Sequence, residues 1–280
     1  MESVQPTDAA AAAAARTASR DERPAATRTI EGIADEFRRH AYIAERSLAT
    51  TVFLALELGR PLLLEGEAGV GKTELAKVLA KTLDTRLIRL QCYEGLDVNT
   101  AVYEWNYPRQ MLEIRLLEAR GEIDRADEEF EAYLLEILSD FQVTVPEIGT
   151  IRASRAPRVV LTSNRTRDLH DALKRRCLYH WIDYPPPERE VEIVRRRVPT
   201  SSRALAEDVV AALARMRAAD VQKPPGIAEG IDWVAALELL GAERLDADAA
   251  GRTLGAVLKY REDQEAVRAA GLERLVRGAA

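Results

Sequence analysis

The sequence predicts an α/β fold in which a core built on a parallel sheet is followed by a helical C-terminal region. Two observations carry this prediction. In the first half of the chain, a short apolar run is followed by a glycine-rich loop, an amphipathic helix and a second apolar run, which is how parallel sheets begin. In the last third, after three consecutive prolines at 185–187, the apolar spacing is helical to the end.

The N-terminal part of the chain divides into a tail and two helices. Residues 1–28 are rich in alanine with scattered Thr, Ser, Arg and Pro, and their lack of core-forming periodicity predicts a disordered tail. From Ile30 to Leu56, apolar residues recur at helical intervals and predict two amphipathic helices. Gly59 and Pro61 mark the end of the second helix.

The core is predicted to contain both strands and helices. In chain order these are a strand at 62–64, a helix at 73–83, a strand at 86–92, a helix at 126–141, a hairpin at 142–153, and strands at 159–164 and 179–184. Because the prolines at 185–187 can continue neither a helix nor a central strand, they mark a domain boundary. The predicted domains are therefore the tail at 1–28, a core at 29–187 and a helical domain at 188–280.

Composition excludes several classes of protein. No apolar run reaches the roughly 18 residues of a membrane span. The formal charge of −6, from 40 basic and 46 acidic residues, provides no broad basic surface, so we expect no nucleic-acid partner. Cys92 and Cys177 are too few for a disulfide framework, and the N-terminus lacks a signal-peptide pattern. We therefore expect a cytoplasmic protein.

Residues 66–73, here called the phosphate loop, match the pattern G-x-x-x-x-G-K-[ST]. They are Gly66, Glu67, Ala68, Gly69, Val70, Gly71, Lys72 and Thr73. In such loops the backbone N–H groups cradle phosphate oxygens, the lysine reaches the β and γ phosphates, and the hydroxyl suits Mg²⁺. The N-terminus of the following helix favours the same anion. We expect all eight residues to bind a nucleotide, with Thr73 as the protein ligand of the metal.

The phosphate loop and several other segments resemble MoxR-type AAA+ ATPases, and in particular the branch associated with maturation of molybdenum-containing carbon monoxide dehydrogenase. The resemblance covers most of residues 30–260. It is carried by GEAGVGKTELAKVLA at 66–80, IRLQCYEGLDVNTAVYEWNY at 88–107, EIDRADEEFEAYLLEILSDFQVTVPEIGTI at 122–151, LTSNRTRDLHDALKRRCLYHWIDYP at 161–185 and KPPGIAEGIDW at 223–233.

The resemblance implies the fold, the cofactors and the partners of the chain. The fold would be a P-loop NTPase of the AAA+ type, a three-layer core with a parallel sheet followed by an α-helical lid. The cofactors would be ATP and Mg²⁺. The partners would be copies of the chain in a homo-oligomeric ring, expected to be a hexamer, and a client that is a metalloenzyme or a protein with a von Willebrand A domain.

The resemblance also implies roles for single residues. Asn164 occupies the place of the sensor that orients the attacking water, although an asparagine after a strand is also an ordinary turn residue. Arg175 and Arg176 occupy the place of the arginine finger that enters a neighbouring subunit's site, with Arg176 preferred. Their alternative role is to end a solvated helix. Glu122 falls on the glutamate that activates water. No arginine stands at 226–236, where many relatives have one that touches the γ phosphate.

The sequence departs from the family pattern just before Glu122. In the family, four apolar residues ending in Asp-Glu form a buried strand, and here Gly121 stands in place of the Asp. A crossover between parallel strands needs at least about 10–12 residues, and 112–121 leaves no room for both a helix and a strand. We therefore expect a deletion that removes one central strand near 112–122. Residues 113–118 could fill its place, but their helical spacing argues against this.

Three functional hypotheses follow. The leading hypothesis is an ATP-hydrolysing AAA+ chaperone that matures or remodels a partner metalloenzyme. The alternative is a nucleotide-binding scaffold subunit that does not hydrolyse ATP, because the Asp and its strand are absent. A third reading, a helicase loader acting on DNA, conflicts with the lack of a basic surface.

Overall fold

The computed structural model describes residues 23–90, 116–119, 134–135, 138, 142–145, 149–152 and 157–278. The chain divides into two compact units. The first consists of Met1–Gly66 with Lys72–Trp181, and the second consists of Glu67–Gly71 with Ile182–Ala280. The second unit therefore contains the helical C-terminal region together with the middle of the phosphate loop.

Two helices precede the sheet of the first unit. They are α1 (Ile30–Arg39) and α2 (Arg46–Leu58). Thr29 caps α1, because its side chain accepts a hydrogen bond from the Gly32 N–H at 3.0 Å. Ile33 and Phe37, one helical turn apart on the same face, are fully buried. Helix α2 ends at Gly59, whose φ of 62° favours glycine.

The chain is already packed before α1, which corrects the predicted tail. Ala25–Arg28 forms a 3₁₀ helix, and Thr27 within it is fully buried. Arg23 is buried as well and forms an ion pair with Glu57 of α2. The boundary predicted at residue 28 is therefore too late, because these contacts hold the segment against the helices. Residues 1–22 lie outside the described residues.

The first unit is built on a five-stranded sheet. Its strands are β1 (Leu62–Gly66), β2 (Leu87–Leu90), β3 (Leu116–Ala119), β6 (Arg158–Ser163) and β7 (Leu178–Ile182). Their order is β2-β3-β6-β1-β7. β1 pairs in parallel with β6, and β3 pairs in parallel with both β2 and β6. Every residue of β1 is buried, as expected of a parallel strand that is covered on both faces.

Leu116–Ala119 forms β3 between β2 and β6, although the helical spacing of residues 113–118 argues against a strand there. Leu117 pairs with Ile88 on one side and with Val159 on the other. The physical reason is that β2 and β6 would otherwise bury unpaired backbone N–H and C=O groups, so pairing outweighs the helical spacing of this short segment. Among the described residues, β3 thus occupies the place between β2 and β6, although its sequence does not end in Asp-Glu.

The predicted hairpin is confirmed. β4 (Gln142–Val145) and β5 (Gly149–Arg152) form a separate antiparallel pair in which Val143 lies opposite Ile151. Of the helix predicted at 126–141, the described residues are Leu134, Leu135 and Leu138, and all three are helical. The rest of that prediction lies outside the described residues.

The other helices whose bounds the structure describes are α3 and α4 of the first unit and α5 to α10 of the second. They are α3 (Lys72–Thr82), α4 (Asp171–Arg176), α5 (Pro187–Arg197), α6 (Arg203–Arg217), α7 (Ile227–Leu239), α8 (Ala247–Val257), α9 (Arg261–Ala270) and α10 (Leu272–Arg277). The core of the second unit centres on Trp233, which is fully buried and donates its indole N–H to the Thr253 hydroxyl at 2.7 Å. Within the described ranges, no helix combines the length and the apolar character needed to cross a membrane.

Candidate nucleotide site

The phosphate loop joins the end of β1 to the start of α3. β1 ends at Gly66, and α3 begins at Lys72. Three glycines of the loop have positive φ angles, 153° at Gly66, 75° at Gly69 and 97° at Gly71. Residues with a Cβ rarely adopt such angles, so the path of the backbone requires glycine at these positions. The conformation therefore explains why the motif has its glycines where it does.

Lys72 reaches back across the phosphate loop. Its side chain is buried, and its Nζ donates a hydrogen bond to the Gly66 carbonyl oxygen at 2.7 Å. A buried ammonium group needs strong acceptors, and phosphate oxygens are among the strongest. Thr73, the next residue of α3, is half-buried and carries a hard oxygen of the kind that Mg²⁺ prefers. These two side chains fit a phosphate group accompanied by Mg²⁺.

Within the second unit, the middle of the phosphate loop contacts the start of α7. The Ala228 N–H donates to the Gly69 carbonyl oxygen at 3.3 Å. A Cβ on Gly69 would lie 2.7 Å from Oε2 of Glu229, and a Cβ on Gly226 would lie 2.6 Å from the Ala68 carbonyl oxygen. Both glycines are therefore needed for this close approach. Sequence analysis assigned no role to a residue at the start of α7, because the contact depends on the absence of side chains rather than on a charged side chain.

Arg217 holds the turn that leads into α7. Its guanidinium makes two hydrogen bonds to the buried carboxylate of Glu190, at 2.7 and 2.8 Å, and a third to the Pro225 carbonyl oxygen at 2.8 Å. It also lies 4.2 Å from the centre of the Tyr184 ring. Burial raises the pKa of Tyr184, while Arg217 lowers it and Glu67 is among the carboxylates that raise it. Sequence analysis missed Arg217, since its partners are distant in the chain.

Asn164 lies level with the beginning of the phosphate loop. It follows directly after β6, and the last residue of β6, Ser163, pairs with Glu65 of β1. Gly66 follows Glu65 in the same way, so Asn164, one residue beyond the end of β6, lies level with Gly66, the last residue of β1. Asn164 is half-buried. Asn164 therefore lies beside the first residue of the phosphate loop.

A polar cluster that sequence analysis missed lies beside Asn164. Glu65 is buried and accepts a hydrogen bond from the Tyr179 hydroxyl at 3.1 Å. The Nε of Arg165 lies 3.8 Å from the same carboxylate oxygen, and the Arg165 N–H donates to the Ser163 hydroxyl at 3.0 Å. Burial, followed by the hydrogen bond to Glu65, raises the pKa of Tyr179. The only indication of this cluster in the sequence is Glu65, a charged residue directly after the apolar run at 62–64.

The two finger candidates lie in the last turn of α4. Arg175 and Arg176 are both exposed. Nη1 of Arg176 donates to the Ala172 carbonyl oxygen at 3.0 Å, so this guanidinium lies along its own helix. Glu122 and Gly121, in contrast, lie outside the described residues.

Comparisons with known proteins agree with this geometry. The AAA domain of the dynein-related subfamily matches residues 61–177. Three variants of RuvB from Thermotoga maritima have similar structures, with TM-scores of 0.54, 0.52 and 0.51 at 21%, 21% and 20% sequence identity. Each similarity covers 83% of this chain and 72% of the RuvB chain. No curated protein matches the sequence. The chain therefore contains an AAA domain and has the P-loop AAA+ fold, with a parallel sheet and C-terminal helices.

Proposed function

We propose that this protein binds ATP with Mg²⁺ at the phosphate loop, hydrolyses it, and uses the cycle within a homo-oligomeric ring to remodel a partner protein. The observation that carries the proposal is the phosphate loop itself. Gly66, Gly69 and Gly71 have the backbone angles that a wrapped loop requires, and the buried ammonium group of Lys72 lies across it.

Different parts of the phosphate loop contact the phosphates and the metal. The backbone of 66–71 and the N-terminus of α3 hold the phosphates, and Lys72 neutralises charge on the β and γ phosphates. Thr73 would supply a hydroxyl ligand to Mg²⁺, which when bound would neutralise charge on the transferred phosphoryl group. The backbone and the side chains of the loop thus bind and orient the triphosphate.

The role of Glu122 rests on the resemblance, in which it stands at the position of the glutamate that activates water. We propose that Glu122 takes a proton from the water that Asn164 orients.

Glu118 is a poor substitute for Glu122. It pairs with Val160, which precedes Asn164 by four residues, or about 13 Å along the strand. A general base must lie within hydrogen-bond reach of the water it activates. The position of Glu118 in the strand does not meet this requirement.

The ring and the client rest on resemblance. Arg176 lies in an exposed last helical turn, which suits a side chain that enters a neighbouring subunit's site, and Arg175 is its alternative. The matching MoxR-type segments support a metalloenzyme client, or a partner with a von Willebrand A domain. Copurification of this protein with such a partner, dependent on ATP, tests the client.

Titration calorimetry with Mg-ATP tests the central claim. Lys72→Ala should abolish the heat of binding, because the loop loses its only side-chain cation. Lys81→Ala is the matched control, since it removes an exposed lysine from the last turn of the same helix. Equal affinity of the Lys72→Ala variant and the wild-type protein would contradict the proposal.

A second candidate function is a nucleotide-binding scaffold that does not turn ATP over. The observation that favours it is the sequence Leu116–Ala119 in the central strand, which lacks the Asp that would help hold Mg²⁺. A steady-state ATPase assay separates the two candidates. Turnover that Glu122→Gln abolishes supports the enzyme, whereas tight binding without turnover in the wild-type protein supports the scaffold.

A further inference from the structure

We infer that Arg60 is a positioning residue for the arginine finger, because its guanidinium fixes the C-terminal end of α4, the helix that carries Arg175 and Arg176. The inference rests on the proposed function, since a finger acts only where a ring hydrolyses ATP. It adds a residue for which the sequence motifs give no indication.

The contacts join one side chain to three consecutive carbonyl groups. Nε of Arg60 donates to the Arg176 carbonyl oxygen at 3.1 Å. Its Nη2 donates to the Arg175 carbonyl oxygen and, at 3.5 Å, to that of Cys177. The backbone of both finger candidates is therefore bound by the same guanidinium.

Helix α4 needs such a partner. It has six residues. The last four carbonyl groups of a helix accept no hydrogen bond from an N–H of the same helix. Helices this short are marginal without tertiary contacts. A cation at the carbonyl end donates hydrogen bonds to these carbonyl groups and interacts favourably with the helix dipole. The planar fork of arginine suits several carbonyls at once, which a lysine ammonium does not.

The backbone places Arg60 accurately. Helix α2 ends at Gly59 with a left-handed φ of 62°, and the Arg60 N–H donates to the Ala55 carbonyl oxygen at 3.1 Å. The following residue, Pro61, accepts a hydrogen bond from the Leu178 N–H at 2.8 Å. The turn between α2 and β1 therefore contacts the end of α4 through the Arg60 side chain and the start of β7 through the Pro61 carbonyl.

The role can be distinguished from general stabilisation. Arg60 is exposed, so its truncation leaves no buried cavity and should not unfold the core. A displaced finger should slow turnover in the neighbouring site and leave nucleotide binding in the variant's own site intact. The expected signature is a lower kcat with an unchanged KM for ATP.

The first experiment compares three variants in a steady-state ATPase assay. Arg60→Ala should lower kcat by about 10- to 100-fold, because small displacements of a catalytic group have effects of this size, and its affinity for Mg-ATP should not change. Arg60→Lys should lie between Arg60→Ala and wild type. Arg46→Ala is the control, since it removes an exposed arginine of the same unit that pairs with Glu31. Equal kcat for Arg60→Ala and Arg46→Ala would overturn the inference.

The second experiment uses the expectation that the finger acts between subunits. Coexpression of Arg60→Ala with Lys72→Ala chains should restore activity that each lacks alone. In random mixtures about one interface in four pairs an intact phosphate loop with an intact finger. A mixture of Arg176→Ala with Lys72→Ala chains should recover ATPase activity in the same way as the mixture of Arg60→Ala with Lys72→Ala chains. Failure of the Arg60→Ala mixture alone overturns the inference. Wild-type protein without turnover, or full turnover of a variant in which both Arg175 and Arg176 are replaced by Ala, overturns the proposed mechanism as well.

Discussion

Gly69 of the phosphate loop and Gly226 at the start of α7 lie so close that a Cβ built on Gly226 would be 2.7 Å from the Cα of Gly69. The carboxylate of Glu229 completes this contact, because it accepts a hydrogen bond from the Gly226 N–H at 3.0 Å. The start of α7 thus meets the phosphate loop through the backbones of two glycines.

Gly226→Ala should weaken binding of Mg-ATP by about tenfold or more, since the added methyl group overpacks the contact and such overpacking costs about 1–3 kcal/mol. Calorimetry measures the affinity. Gly255→Ala is the control, because a Cβ at Gly255 in α8 meets only Gln264 Nε2 at 3.9 Å, and its affinity should match wild type. Unchanged affinity of Gly226→Ala would show that the contact does not shape the loop.

Arg217→Met should destabilise the fold by about 3–5 kcal/mol, because it leaves the buried carboxylate of Glu190 without its cation. Urea unfolding measures the loss. The double variant Arg217→Met with Glu190→Leu should recover part of it, since both charges are then absent. Arg203→Ala, which breaks an exposed ion pair with Glu207, should cause no measurable change. A stable Arg217→Met variant would contradict this prediction.

Thr253→Val should cost about 1–3 kcal/mol of stability, because the indole N–H of Trp233 then stays buried without an acceptor. Thr253→Ser retains the hydroxyl and should lose less. Thermal unfolding of both variants beside the wild-type protein checks the order. If valine is as stable as serine at this position, the hydrogen bond does not support the core of the second unit.

Stability should fall at high pH through Cys177. Burial raises the pKa of its thiol to about 12, although Arg60 and Arg176 act in the opposite direction. Because the folded value exceeds the ordinary 9.0, the neutral thiol stabilises the fold below pH 9, and this contribution is lost between pH 9.0 and about 12.

In that window the wild-type free energy of unfolding should fall by up to about 1.4 kcal/mol per pH unit more than that of Cys177→Ala, which has no thiol to titrate. Urea unfolding at a series of pH values measures both slopes. Parallel slopes for the two proteins would rule out a buried neutral thiol at this position.

The parts of the fold and the site that were predicted correctly are those formed by residues that are contiguous in the sequence. β1, the phosphate loop and α3 are contiguous, so the apolar run, the glycines and the lysine identified them together. Leu116–Ala119 was missed because four residues fit a helix or a strand equally well, and only pairing with β2 and β6 decides between them. Arg60 and Gly226 were missed because their roles arise from segments that are distant in the chain.

β1 has a consequence for how this protein can move. All five of its residues are buried, and β6 and β7 flank it. A strand held in this way is rigid, because bending it would break backbone hydrogen bonds to the strands on both sides and disturb close-packed neighbours. Flexibility is therefore expected in the torsion angles of Gly66 and Gly71, which can change while the sheet keeps its shape.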